Sequence, residues 1–205
     1  MNEFDLKARE WDNNQVRVER AVTVAAEIKK QIPTRPGMRA LEFGSGTGLL
    51  SFELQDHFSG IVLMDNSREM IRVCEEKCAY HKTPHIQPVW FDLEKHDYDG
   101  KFDIIYSLMV LHHVTNVDML LNKFTGMLNP GGILLISDLY TEDGSFHDSG
   151  EIAHKGFDPD ELLNILKDKG YKSGRHTHCY NVKRSGGRKY PIFLLWAHKN
   201  DISLG

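Results

Sequence analysis

LEFGSGTGLL, at residues 41–50, is an apolar run that ends in a glycine-rich turn and opens into a helix pattern. A second apolar run, IVLMD at residues 61–65, ends in a carboxylate at Asp65. Each run has the length and composition of a buried strand. Open α/β sheets hold nucleoside-bearing ligands with this pair of features, because glycines let the ligand approach the backbone and the acid accepts ribose hydroxyls. The two runs therefore predict an α/β sheet with a nucleoside site at its edge.

The details of the turn indicate a ligand with a positively charged end. The glycines read G-x-G-x-G, and Leu49 stands where a dinucleotide fingerprint, G-x-G-x-x-G, has its third glycine. Glu42 lies two residues before the first glycine. A carboxylate at that point would repel a pyrophosphate and attract a cationic amino-acid tail.

The same residues resemble motif I and the ribose-binding acid of the class I S-adenosylmethionine-dependent methyltransferases. Four later segments resemble that family's other motifs in its order and spacing: WFDL at 90–93, FDIIYS at 102–107, LHHV at 111–114 and LNPGGILLI at 128–136. The resemblance is close over residues 38–138 and strongest to the small-molecule (type 11, quinone-biosynthesis-like) branch. It implies the cofactor S-adenosyl-L-methionine and a Rossmann-like seven-stranded sheet, mostly parallel with an antiparallel C-terminal hairpin and with helices on both faces.

The length of 205 residues fits one methyltransferase domain, residues 1–205, with a helical flap at 1–35. The patterns predict strands at 38–43, 60–64, 86–91, 102–108, 132–138, 172–182 and 189–199. They predict helices at 15–31, 47–58, 67–80 and 116–127, and one that begins at an Asp158 cap and runs to Lys169. Residues 139–157 lack periodicity and follow the fifth strand at its ligand-binding end, so we predict a substrate loop there.

The cofactor contacts are assigned from the chemistry and the resemblance together. Glu42 is expected near the cofactor's ammonium, Asp65 at the ribose hydroxyls and Asp92 at the adenine amine. The other predicted contacts are the turn residues Gly44, Ser45, Gly46 and Gly48, Trp11 from the flap, Asn66 and Met70 after the second strand, the Leu93 amide, and Ser107 at the tip of the fourth strand. For Trp11 and Met70, ordinary packing stays open, and for Glu42 a surface position stays open.

The candidates for a catalytic base are Glu142, Asp143, His147 and His154 on the 139–157 loop, and His112 and His113 after the fourth strand. Methyl transfer needs a base only when the acceptor must lose a proton, as a phenol or amine does. We assign this role to His147, with Asp143 as its orienting partner, because an imidazole titrates near neutral pH. No metal is predicted, because the aspartate pattern of catechol-type enzymes is not evident and Cys74 and Cys78 lack a second ligand pair.

The bulk composition excludes several partners. The chain has 25 basic and 29 acidic residues, and its net charge of −4 argues against nucleic acid. The nearest basic patch, KRSGGRK at 183–189, is interpreted as a solvated hairpin tip or as a contact to an anionic substrate. No signal peptide or apolar run of the ~20 residues that cross a bilayer is present, so we predict no membrane anchor. Three cysteines suit a reducing cytoplasm, and we expect a monomer or homodimer.

The leading hypothesis is methyl transfer to a small, partly apolar molecule. The predicted pocket wall is apolar and aromatic, with the candidates Tyr106, Met109, Tyr140, Phe146 and Phe157. No Asn-Pro-Pro-Tyr-like segment follows the fourth strand, which argues against adenine in nucleic acid as the acceptor. The alternatives are a cofactor-binding protein of the same fold without transfer activity and a protein or RNA methyltransferase. A nicotinamide-dependent oxidoreductase is disfavoured by the glycine spacing and by Glu42.

Overall fold

A seven-stranded sheet forms the centre of the computed structural model, which describes residues 3–33, 35, 37–147, 152–184 and 186–201. Its strands are β1 (Arg39–Phe43), β2 (Gly60–Asp65), β3 (Ile86–Trp90), β4 (Phe102–Leu108), β5 (Leu128–Leu139), β6 (Tyr171–Lys183) and β7 (Lys189–Lys199). They lie in the order β3-β2-β1-β4-β5-β7-β6.

The chain reverses its direction of travel across the sheet between β1 and β4. Strands β1 to β5 pair in parallel, whereas β7 runs antiparallel to both β5 and β6. Ligands of open α/β sheets bind beyond the carboxyl ends of the strands at such a reversal. The turn that follows β1 lies at this point. The predicted fold class, a mostly parallel sheet with an antiparallel C-terminal hairpin, is confirmed.

The helices connect the strands and cover both faces of the sheet. In the described ranges they are α1 (Glu3–Lys7), α2 (Gln15–Gln31), α3 (Leu49–Leu54), α4 (Arg68–His81), α5 (Val117–Met127) and α6 (Pro159–Asp168). Each long helix begins at a side chain that accepts backbone N–H groups: Asn14 caps α2, Ser67 caps α4, Asn116 caps α5 and Asp158 caps α6. Among the described residues, no helix is both long and apolar enough to cross a bilayer.

Two apolar clusters lie on opposite faces of the sheet. Leu41 of β1 packs with Phe124 of α5 in one cluster, and its neighbour Ala40 packs with Val24 of α2 in the other. Burial on both faces makes the inner strands continuous apolar runs, as is usual for parallel sheets. The hydrophobic end of β7, Ile192–Leu195, is fully buried, as its composition indicates.

The element boundaries agree with the sequence pattern except at two places. The helix predicted at 47–58 is shorter, because Gly48 adopts a left-handed conformation (φ 79°) and α3 begins only at Leu49. It passes into a 3₁₀ turn at Gln55–His57. Strand β5 starts at Leu128, four residues before its predicted start, because the chain already pairs with Phe102 there.

Three aromatic residues predicted to face the substrate are instead part of the core, so that prediction was wrong for them. Tyr106 is fully buried, shares a hydrogen bond with Ser51 at 2.5 Å and stacks on Phe58. Tyr140 and Phe157 pack against the cluster around Leu41. The aromatic character of a residue does not reveal whether its side chain faces the cavity or packs against the core.

The predicted substrate loop is closed at its base by backbone hydrogen bonds. Phe157 N donates to Leu139 O at 2.9 Å, and Glu142 N donates to Lys155 O at 2.9 Å. The part of the loop at 148–151 lies outside the described residues. Gly156 has φ 76°, and a Cβ atom built there would lie 2.3 Å from the Tyr140 carbonyl oxygen. Only glycine fits where the two sides of the loop meet.

This close approach predicts that Gly156→Ala destabilises the protein by more than its backbone angle alone explains. Gly186 is a matched control, because it also has positive φ (89°) but nothing within 4 Å of an added Cβ. We expect Gly186→Ala to cost about 1–2 kcal/mol of unfolding free energy, the usual cost of a left-handed alanine. Gly156→Ala is expected to cost clearly more in urea unfolding. Equal losses for the two variants would contradict this account of the loop base.

Candidate functional site

The glycine turn after β1 is locked to the end of β2. Ser45 N donates to Met64 O at 3.0 Å, and Gly46 N donates to Asp65 Oδ2 at 2.8 Å. Gly44 has φ 65°, and a Cβ atom there would lie 2.5 Å from the methyl carbons of Val110. The turn therefore needs glycine both for its dihedral angle and for its close approach to the segment after β4.

The carboxylate of Asp65 is held in place before any ligand binds. Its second oxygen, Oδ1, accepts from Ser67 N at 2.8 Å. Burial raises the pKa of this carboxyl group, and the backbone N–H groups of Ser67 and Gly46 oppose the rise. Each carboxylate oxygen has two lone pairs, so Asp65 keeps acceptor capacity for ligand hydroxyls.

A cavity of about 690 Å³ opens at the carboxyl ends of the strands. This volume is in the usual range for small-molecule sites. Ten of the predicted cofactor residues line it: Trp11, Glu42, Gly44, Ser45, Gly46, Asp65, Asn66, Met70, Asp92 and Leu93. Two predicted contacts are not in its wall. Gly48 approaches Leu63 and Phe52, and Ser107 is buried at the end of β4, just before the lining residues Leu108 and Met109.

Three carboxylates from three neighbouring strand ends face this cavity. Glu42 comes from β1, Asp65 ends β2, and Asp92 follows β3. The Asp92 carboxylate accepts from Glu94 N at 3.1 Å and pairs with Lys95 at 2.8 Å. A ligand that offers an ammonium, a ribose diol and an exocyclic amine would match these acceptors in order. The residues present therefore fit S-adenosylmethionine.

Glu42 is buried, not on the surface, which removes the alternative that the sequence left open. Only 3% of it is exposed, and its carboxylate accepts a hydrogen bond from Ser51. Burial raises the pKa of Glu42 to about 8, although Ser51 and Lys77 oppose the rise. A ligand cation beside this carboxylate would lower its pKa and compensate its burial.

The N-terminal segment closes one side of the cavity. The 3₁₀ turn at Ala8–Asn13 carries Trp11, whose ring lies under the Arg17 guanidinium at 3.7 Å. The neighbouring Asp12 accepts from Thr47 Oγ1 at 2.5 Å and pairs with Lys77 at 2.9 Å. These bonds fasten the segment directly to the glycine turn.

A histidine cluster lies in the cavity wall, formed by His112, His113 and His147. The ring centroids of His112 and His147 are 5.2 Å apart, and those of His113 and His147 are 5.3 Å apart. Burial together with the two neighbouring imidazoles lowers the pKa of His113 to about 4. Burial also lowers the pKa of His147, with His112 and Arg184 contributing. His147 Nε2 is buried and has no hydrogen-bond partner among the residues that the structure describes.

His112 is oriented by a carboxylate that the sequence analysis did not identify. Its Nδ1 bonds to Asp138 Oδ1 at 2.6 Å, and both side chains are buried. Leu139 N also donates to Asp138 Oδ1, at 2.7 Å. With Nδ1 as the donor, Nε2 of His112 is the acceptor nitrogen. An acid at the end of a buried apolar strand was the available signal for Asp138.

Asp143 does not orient His147 in this structure. Its carboxylate accepts from Ser145 Oγ at 2.5 Å and pairs with Arg188 at 2.8 Å. These partners hold the pKa of Asp143 well below its usual range. The two residues predicted as a pair thus point to different partners, because the turn at 143–145 directs Asp143 toward the β6–β7 hairpin.

The same three histidines are a candidate metal site among the described residues. Their ligand nitrogens lie within 4.8 Å of one another. Nitrogens around a tetrahedral zinc ion are separated by only about 3.3 Å, given Zn–N distances near 2.0 Å. The nearby Arg184 charge, which lowers the pKa of His147, disfavours a divalent cation as well. We keep the prediction of no metal.

Comparison with known proteins decides the family. A family model described as a methyltransferase domain matches residues 14–185. The chain belongs to the class I S-adenosylmethionine-dependent methyltransferases. The family's cofactor, S-adenosylmethionine, is therefore the cofactor of this methyltransferase.

Two curated relatives and one solved structure illustrate the relationship. An uncharacterized methyltransferase of Schizosaccharomyces pombe is 32% identical, over 65% of this chain and 53% of that protein. Phosphoethanolamine N-methyltransferase 1 of Arabidopsis thaliana is 29% identical, over 71% of this chain and 31% of that protein. The chain thus spans about half the length, or less, of these two relatives. A methyltransferase from Aquifex aeolicus shares the fold with a TM-score of 0.72 at 18% identity, over 95% of this chain and 97% of that one.

The burial of Glu42 predicts a specific pH dependence of stability. The unfolded chain releases this proton near pH 4.5, whereas the folded methyltransferase keeps it up to about pH 8. The Glu42 contribution to the unfolding free energy therefore decreases as pH rises through this window, by up to about 1.4 kcal/mol per pH unit. We expect Glu42→Gln to remove this slope, measured by urea unfolding of the apoprotein between pH 5 and pH 8. The exposed Glu53→Gln is the control, and identical slopes in both variants would refute the assignment.

Proposed function

We propose that the protein transfers a methyl group from S-adenosylmethionine to a small, partly apolar acceptor. One observation carries the proposal: the cofactor residues and the histidine cluster line the same cavity. Met109 and Phe146 lie in this wall and give the second half of the cavity apolar surface. The size of the cavity suits a small acceptor.

The residues of this chain contribute chiefly by alignment. Bound S-adenosylmethionine supplies a methyl group on a sulfonium, which is already activated toward an in-line nucleophile. Asp65 and the glycine turn hold the ribose and methionyl portions in one orientation, and the N-terminal segment at Trp11 excludes water from that side. Correct alignment contributes up to about 7–11 kcal/mol in well-oriented systems.

For an acceptor that must lose a proton, we assign the base to His147. Its Nε2 atom is buried without a partner, and its pKa lies below the ordinary value for histidine, so the neutral ring is present at pH 7. His112, oriented by Asp138, is the second candidate, because a carboxylate that holds one ring nitrogen leaves the other as the acceptor. Asp143 is not assigned a role in this proton transfer, because it forms an ion pair with Arg188.

Two alternatives from the sequence remain as competing proposals. A protein of this fold that binds the cofactor without transferring methyl would bind S-adenosylmethionine and leave it unturned. A protein or RNA methyltransferase would require a wider opening than a small-molecule cavity. A cytoplasmic location and a monomeric or homodimeric state remain predictions as well.

The proposal is tested by incubating the protein with S-adenosylmethionine labelled in its methyl group and a panel of small phenols, amines and carboxylic acids. We expect label in at least one small acceptor and none in protein or RNA added in parallel. Binding of the cofactor without any transfer across the panel would favour the binding protein, and label in RNA or protein would contradict the acceptor class.

The His147 assignment predicts the pH profile with a phenol or amine acceptor. Below its pKa the imidazole is protonated and cannot accept a proton, so the rate should decrease at acidic pH. Because the pKa of His147 is lowered from 6.5, the midpoint of this decrease should lie below pH 6.5. We expect His147→Gln to lower kcat by about 10²–10⁴-fold, the usual contribution of a general base, and to abolish this decrease. The control is His81→Gln at the exposed end of α4. A variant with the wild-type decrease would move the role to His112.

A further inference from the structure

Charged side chains of both signs line the cavity, and Glu3, Lys7 and Glu94 are among them. Four of the basic side chains come from other elements than the three strand-end carboxylates. The three carboxylates come from the ends of β1, β2 and β3. Arg17 and Arg20 come from α2, and Lys183 and Arg184 come from the end of β6. In the sheet order, β4, β5 and β7 lie between β6 and the strands of these carboxylates, so Lys183 and Arg184 lie away from them.

Arg20 is a cation without a counter-ion. Its Nε atom is buried without a hydrogen-bond partner, and its side chain forms no hydrogen bond or ion pair with any other residue in the described ranges. Burial and the neighbouring Arg17 lower its pKa to about 10. An unpaired guanidinium in a partly dry wall costs stability unless a ligand completes it.

The two carboxylates that influence Arg20 and Arg17 electrostatically already have other partners. Asp138 influences Arg20 electrostatically, but its oxygens accept from His112 and from Leu139 N. Asp12 influences Arg17, but it is bound to Thr47 and Lys77. Neither acid forms an ion pair with an arginine of this wall.

The neighbouring arginines are fixed in position. Arg17 lies over the Trp11 ring at 3.7 Å and donates to Trp11 O at 3.4 Å. Arg184 lies over the Phe146 ring at 5.1 Å. The charge of Arg184 lowers the pKa of Arg17, and that of Arg17 lowers the pKa of Arg20, so Arg17 is repelled by both of the other arginines. An anion between them would relieve this repulsion.

We propose that Arg17, Arg20 and Arg184 form a subsite for an anionic group, a carboxylate or a phosphate, of the methyl acceptor. The inference rests on the proposed function. It specifies the acceptor further, as a small molecule with an apolar portion and one anionic end. Guanidinium groups recognise both oxyanions by paired hydrogen bonds. The anionic end would fix the acceptor at the α2–β6 wall while its nucleophile faces the cofactor. The other interpretation of residues 183–189, a solvated hairpin tip, does not extend to Arg20, whose Nε atom is buried.

The test is calorimetric titration of the S-adenosylhomocysteine-saturated protein with inorganic phosphate and, separately, with malonate. We expect at least one of the two anions to bind, and the stronger binder identifies the oxyanion. Arg20→Gln should weaken that binding about tenfold or more, as expected for loss of hydrogen bonds to a charged group. Arg20→Lys keeps the charge but not the paired donors, so its affinity for the anion should lie between those of the wild type and Arg20→Gln. Arg175→Gln, at an exposed position of β6, should bind like the wild type.

The affinity for S-adenosylhomocysteine separates this inference from the proposed function. An unchanged affinity in Arg20→Gln shows that the variant is folded with an intact cofactor site. If the wild type binds S-adenosylhomocysteine but neither anion, or if Arg20→Gln binds both anions as the wild type does, the anion subsite is wrong while the methyltransferase proposal stands. If the wild type does not bind S-adenosylhomocysteine at all, the proposed function fails first.

Discussion

The hydrogen bond from Gly46 N to Asp65 is the constraint on which the site depends. It joins the turn after β1 to the end of β2 at 2.8 Å. This turn also holds Gly44 against Val110 in the segment after β4, where a side chain would not fit. The same carboxylate caps the chain at Ser67 N, where α4 begins. One acid thus joins the turn after β1, the end of β2 and the start of α4, and it keeps acceptor capacity for ligand hydroxyls.

Electrostatic cost is concentrated where the ligands bind. Glu42 is buried with a raised pKa, and Arg20 lies in the cavity wall without an ion pair to any residue that the structure describes. Both arrangements are unfavourable in the free protein and become favourable beside a charge of opposite sign. In the functions proposed above, a cofactor with a cationic end and an acceptor with an anionic end would supply these charges.

The fold could be predicted from the sequence because parallel strands buried on both faces are continuous apolar runs bounded by glycine turns. The three acids at the cavity, Glu42, Asp65 and Asp92, could be placed together because each lies at or near the end of such a run. The part of the cavity wall that carries the histidines and arginines could not be predicted. His112 and Asp138 are 26 residues apart and meet only through the pairing of β4 with β5. Arg17 and Arg20 read as the polar face of an amphipathic helix, and only the position of the β6–β7 hairpin brings that face into the cavity wall. Asp143 was misassigned as a partner of His147 because the local turn, not sequence proximity, sets its direction.

The central claim, that the glycine turn and Asp65 form the S-adenosylmethionine site, is tested most directly by titrating the protein with S-adenosylhomocysteine. The wild type, purified free of cofactor, should bind it. Asp65→Asn keeps one acceptor oxygen but loses the charge, and should weaken binding about tenfold or more. Asp99→Asn, at an exposed position, should bind like the wild type. No binding by the folded wild type, or equal affinities in Asp65→Asn and the wild type, would contradict the account.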